Sequence, residues 1–90
     1  MKLKSEIVHI DGEDYEVNEL SLRQMQPIME LAQKEGSLVE QQARMIEACV
    51  KHGGKNVEGV MDWPARIANK LAPICMRLNG MSGEDEEGNG

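Results

Sequence analysis

DGEDYEVNELSLRQMQPIMEL, residues Asp11 to Leu31, decides the fold. Asp11-Gly12 is a favoured pair for a two-residue hairpin turn. It separates Ser5 to Ile10 from Glu13 to Val17, two short runs in which Ile7, Val8, Ile10, Tyr15 and Val17 are available for pairing. Ser21 followed by Gln24 then fits a capping box, so the second strand runs into a helix without a linker. In that helix Leu22, Met25, Met29 and Ala32 recur at i, i+3, i+7 and i+10 and predict its inward side. Pro27 cannot donate to the carbonyl of Arg23. The segment is therefore either one kinked helix or a preliminary turn with the main helix starting at Gln26 or Pro27. Lys34-Glu35-Gly36 closes it.

Working outward, Ser37 and Glu40 form a second capping box. The run to His52 carries Leu38, Val39, Met45, Ile46, Cys49 and Val50 as one apolar stripe, ending at Gly53-Gly54. Gln42, one turn after Leu38, interrupts the stripe and predicts that the first turn packs less deeply than the rest. Gly53 to Gly59 reads as a loop with room for a helical turn around Val57 to Met61. Asp62 reads as the N-cap of a third helix with Pro64 in its first turn. Trp63, Ile67, Leu71, Ile74, Cys75 and Leu78 line one side of that helix, Pro73 bends it, and Asn79-Gly80 ends it. From Met81 to Gly90 the composition is too poor in apolar residues to offset ordering and reads as a disordered acidic tail. The expected fold is α+β, mainly α: an N-terminal β-hairpin followed by three helices, one domain over residues 1–80, and the tail over 81–90.

Ninety residues allow one domain, and a domain of this size buries only roughly 60 to 65% of the surface its unfolded chain exposes, so self-association would relieve a marginal core. Hydrophobic residues make up 40% of the chain and charged residues 29%, and the mean hydropathy is −0.50; no apolar run approaches a membrane span. The formal charge is −6 and the pI about 4.8, which argues against a nucleic-acid surface, since that affinity comes from clustered Lys and Arg. Glu84, Asp85, Glu86 and Glu87 hold four of the six net negative charges, leaving about −2 on residues 1–83. MKLKSEIVHIDG has no signal-peptide core, so the cytoplasm is expected, with Cys49 and Cys75 as reduced thiols on apolar helix faces.

No reactive constellation competes with this reading. Cys49-x-x-His52 with Cys75 and His9 offers four zinc-type ligands, but there is no second paired knuckle and both cysteines fall on core stripes. Cys49 with His52, or Cys75 with either His, are the intrinsic nucleophile–base pairs, with nothing supporting their geometry. Glu13 and Asp14 lie beside a turn, as solvated charge does. Gly53-Gly54-Lys55 lacks phosphate-loop spacing. A helix-turn-helix reading fails on the long Gly53 to Met61 connection and on the few cations, Arg66, Lys70 and Arg77, of the third helix. The expectation is a protein that is not an enzyme, needs no cofactor or metal, binds neither nucleic acid nor membrane, and forms a homo-oligomer.

The methionines carry the functional signal. There are seven, with no Phe and with Trp63 and Tyr15 as the sole aromatics. Unbranched thioether chains fill cores, and they also suit an adaptable groove for a partner's amphipathic helix. Met25, Met29, Met45, Ile46, Trp63, Leu71 and Ile74 are the candidate partner-binding residues, either core or groove. A small protein-binding adaptor or regulatory inhibitor, of phage or bacterial origin, fits such a groove as well.

The order of features adds a resemblance: a small hairpin, the junction Tyr15-Glu-Val-Asn-Glu-Leu-Ser-Leu-Arg-Gln-Met, three helices, and a tail starting Leu78-Asn79-Gly80-Met81-Ser82-Gly83-Glu84-Asp85. It resembles the tail assembly chaperones of long-tailed bacteriophages. That family opens with strands such as Glu13 to Val17 and continues into a helix with a Leu-Ser/Thr-Leu/Phe-Arg entry like Leu20 to Arg23, and the likeness covers most of residues 5–85. The resemblance implies a phage or prophage protein of the host cytoplasm, not expected in the mature virion. It would keep the aggregation-prone tape measure protein soluble until tail-tube subunits polymerise around it. It also implies a longer frameshifted form, whose extra domain, recruiting the tail-tube protein, would attach at the acidic tail.

Overall fold

Asp11 and Gly12 both adopt left-handed backbone, φ 55° and 79°, the conformation a tight two-residue hairpin turn demands. In this computed structural model, which describes residues 1–34 and 37–81, the turn joins β1, Ser5–Ile10, to β2, Glu13–Asn18. Their antiparallel register runs from Ile10↔Glu13 to Ser5↔Asn18, and Glu19 N–H extends the ladder to the Lys4 carbonyl at 2.8 Å. The pleat alternates faces, so Ile10 and Val17 are buried and Val8 and Tyr15 pack against the core, while Ser5, Ile7, His9 and Asp14 face water.

The sheet is larger than one hairpin. Expectation carried the second helix to His52, but Val50 turns to extended backbone, φ −106° and ψ 135°. Val50–His52 is a strand, β3, which Gly53 and Gly54 connect to Lys55–Asn56, β4. A Gly-Gly pair with positive φ at both residues closes a hairpin as well as it stops a helix. Pairing with β2 decides the outcome: Val50 lies opposite Val17 and Lys51 opposite Glu16, and neither valine retains any exposure. The result is an α+β fold with a four-stranded antiparallel sheet, β1-β2-β3-β4, in place of the expected single hairpin, together with the expected three helices.

Ser21 caps α1, Leu22–Gln33, through the full reciprocal box: Gln24 N–H donates to Ser21 Oγ at 3.2 Å, and Ser21 N–H to Gln24 Oε1 at 2.9 Å. Pro27 sits within this one helix, so there is no separate preliminary turn. The expected inward stripe is rotated. Met25 and Ile28 are the buried residues, whereas Leu22, Met29 and Ala32 face solvent. α1 packs chiefly on one other helix, so only a narrow strip of it is covered. The expected stop at Glu35-Gly36 lies outside the described residues.

α2, Leu38–Cys49, is capped by Ser37, whose Oγ accepts Glu40 N–H at 3.0 Å. Of the expected second box only this half forms, and the Glu40 carboxylate lies 3.8 Å from Arg44 instead. A single 3-10 turn, Val60–Asp62, precedes α3, Ala65–Leu78. Asp62 belongs to that turn rather than capping the helix, and Pro64 supplies the first carbonyl, accepting from Ile67 N–H at 3.0 Å. At the far end Gly80, φ 70°, lets its N–H reach Arg77 O and Met81 N–H reach Met76 O, the two bonds of a Schellman stop. α3 packs on β1 and β2, and α2 packs on α3 and the second hairpin. The centre of the core is Val17, Ile46, Cys49, Val50, Leu71 and Cys75. Of the expected tail, Met81 is exposed and in no regular element, and the rest lies outside the described residues.

Candidate functional site: an apolar ridge between two grooves

The weak first turn of α2 is where apolar surface reaches solvent. Leu38 is 80% exposed and Val39 61%, consistent with the interruption at Gln42, whereas Ala43, Met45, Ile46 and Cys49 further along are buried. Gln42 lies on the boundary between two concavities. One, about 320 Å³, lies between α2, the 3-10 turn and the start of α3, with Val39, Val60, Met61, Trp63 and Ala68 among its walls. The other, about 330 Å³, lies between the start of α2 and the end of α3 and is lined by Leu38, Gln41, Gln42, Met45, Met76 and Met81. Four methionines thus flank one exposed aliphatic ridge, with flexible thioethers able to conform to an irregular apolar partner. The Schellman stop places Met81 beside Met76 at the end of the second groove.

The seven candidate residues divide. Met25, Met45, Ile46 and Leu71 are buried and belong to the core, so as partner contacts they are corrected, Met45 excepted, which forms part of a groove wall. Trp63 and Ile74 are half-buried against the core, Trp63 in the first groove. Met29 is 53% exposed, but on the separate α1 surface with Leu22. Leu38, Val39, Met61, Met76 and Met81, none of them among the seven candidates, form the ridge and the groove walls around it. The signal for the first two was the polar Gln42 inside their stripe.

The groups weighed for chemistry are dispersed. His52 Nε2 lies 2.8 Å from Glu13 Oε1 and its ring stacks near Tyr15 at 5.0 Å, while His9 pairs with Asp14. Cys49 and Cys75 are free thiols, both completely buried. The hydrogen bond that the Cys75 thiol donates to Cys49, together with burial, pushes the Cys75 thiol far up, so it stays protonated and unreactive. Among the described residues no three His, Cys, Asp or Glu side chains gather as a metal site, and no helix is long and apolar enough to cross a membrane. The ion pairs Arg66–Asp11 at 2.7 Å and Arg77–Glu6 at 2.8 Å, which tie α3 to the first hairpin, are exposed and contribute little apiece.

No model of a known protein family, no curated protein and no solved structure matches this chain.

Proposed function

We propose that the protein is a tail assembly chaperone that binds the tape measure protein in the host cytoplasm and keeps it soluble during tail-tube assembly, with the tail-tube protein as a second partner. The observation that carries the reading is the Leu38–Val39 ridge with a methionine-lined groove on either side. A helix laid across the ridge would bury its own apolar stripe against soft side chains, the mode of helix-in-groove recognition. A tape measure chain repeats such stripes along its length, so many copies of a small module bind it weakly one by one and tightly together. The order of hairpin, junction and helices, which resembles that chaperone family, names the partner class.

Co-expression with a tape measure protein from the same genome tests this. The expected outcome is a soluble, many-copy complex that Val39→Asp prevents while the variant itself remains folded. A complex of small fixed stoichiometry with some other protein would favour the adaptor or inhibitor reading. A tape measure protein that stays insoluble beside the folded wild type overturns the proposal.

A further inference from the structure

β1 forms one edge of the sheet, and its free side has a direction that the hairpin fixes. The two-residue turn makes Ile10↔Glu13 a hydrogen-bonded pair, so the even-numbered residues of β1 direct their backbone groups to β2, as the Glu19 N–H bond to the Lys4 carbonyl also requires. Ser5, Ile7 and His9 therefore direct theirs outward, and among the described residues no strand pairs with them. The outer face near this edge carries two exposed apolar side chains, Leu3 at 56% and Ile7 at 55%.

We propose that β1 pairs with β1 of a second copy of this chain, antiparallel about a two-fold axis at Ser5, to form a continuous eight-stranded sheet. The register follows from the residues. Outward-directed groups must meet outward-directed groups, so odd-numbered residues lie opposite odd-numbered ones, and an axis at Lys4 or Glu6 is disfavoured because it would set that charge opposite its own copy. With the axis at Ser5, Leu3 lies opposite the partner copy's Ile7 on the outer face, in both directions. On the inner face Lys4 lies opposite the other copy's Glu6, again twice. An axis at Ile7 would instead set Lys4 against Ile10 and Glu6 against Val8, charge against apolar side chain at two kinds of pair, whereas the Ser5 axis does so at one, Lys2 opposite Val8, where Lys2 lies outside the Ser5–Ile10 strand. Lysine at an edge ordinarily discourages pairing, but here the same strand supplies its complement two residues away. Glu6 already accepts from Arg77 of α3 at 2.8 Å, so its carboxylate is held in place to receive a second cation. The pairing would add roughly six backbone hydrogen bonds. None of it involves the residues of the two grooves, so it stands independently of the partner assigned above.

Sedimentation of the full chain over a concentration series reaching about 1 mM tests the inference. Wild type should pass from monomer to dimer. Lys4→Glu and Glu6→Lys, each alone, should weaken association about tenfold or more by setting like charges opposite each other. An equimolar mixture of the two should recover the dimer, because each then supplies the other's complement. Should Glu6→Lys fail to fold for want of the Arg77 bond, Ile7→Asp, on the exposed outer face, should weaken the dimer while circular dichroism stays native. Wild type that remains monomeric throughout, a dimer indifferent to Lys4→Glu and Ile7→Asp, or folded charge variants that stay monomeric when mixed would each overturn the proposal.

Discussion

Asn79 joins three elements through one amide. Its Oδ1 accepts the Leu20 N–H at 2.7 Å where β2 leads into α1, and its Nδ2 donates to Cys75 O of α3 at 2.8 Å and to Cys49 Sγ of α2 at 3.5 Å. Asn79→Ala leaves the Leu20 N–H, a part-buried donor, without its acceptor, so stability to urea should fall by about 1–3 kcal/mol. Asn79→Asp retains that acceptor and should recover part of the loss. Sequence showed Asn79 as a helix stop because that role is local; its partners Leu20 and Cys49 are 59 and 30 residues away, and no pattern in the chain couples them. Asp11 is legible for the opposite reason, since turn chemistry needs only its neighbour Gly12. The Arg66 guanidinium, hydrogen-bonded to Asp11, holds its carboxyl below the ordinary carboxylate range. A depressed folded value means that this contribution is complete above the unfolded pKa, about 3.9, and disappears as pH falls through the folded one. Asp11→Asn, which still tolerates left-handed backbone, should therefore be slightly less stable than wild type at neutral pH and indistinguishable from it in acid. Urea midpoints measured from neutral pH to acid check the convergence.

At the scale of elements, helix starts and stops were readable where capping residues specify them, as at Ser21, Ser37 and Asn79-Gly80. The faces were less so. Periodicity presents an apolar stripe in α1 wide enough to include Leu22 and Met29, but which edge of it is covered depends on the crossing with α2, which local spacing does not encode. The second hairpin was hidden because Val50, Gly53 and Gly54 satisfy both a helix end and a tight turn, and Val17, more than thirty positions earlier in the chain, breaks the tie. The candidate surface follows the same logic, since only the completed packing tells ridge from core. Leu38→Asp should change stability by no more than about 0.5 kcal/mol, as exposed positions do, while abolishing partner capture. Leu71→Ala, at a site with no exposure, should destabilise by about 2–5 kcal/mol. A calorimetric comparison of the two variants separates surface from core directly.

Over the whole molecule, the absence of Phe made an aliphatic, sulfur-rich interior legible from composition, and the centre of the core contains no aromatic residue. Both thiols lie within it, so an aqueous disulfide reagent should label Cys49 and Cys75 together and only as fast as the fold opens, with the rate rising in urea. Immediate labelling of either thiol in the native protein would contradict the packing. The two aromatic side chains stand instead at the rim, Tyr15 on β2 and Trp63 beside the first groove, their ring centroids 6.1 Å apart. At that separation a phenol excited in the near ultraviolet passes its energy to the indole, so nearly all intrinsic emission should come from a single fluorophore. Because this lone indole borders the apolar ridge, its spectrum should move to the blue when a helix covers it and to the red when the chain unfolds. The unlabelled protein thus carries its own optical gauge, one whose colour distinguishes occupancy from denaturation.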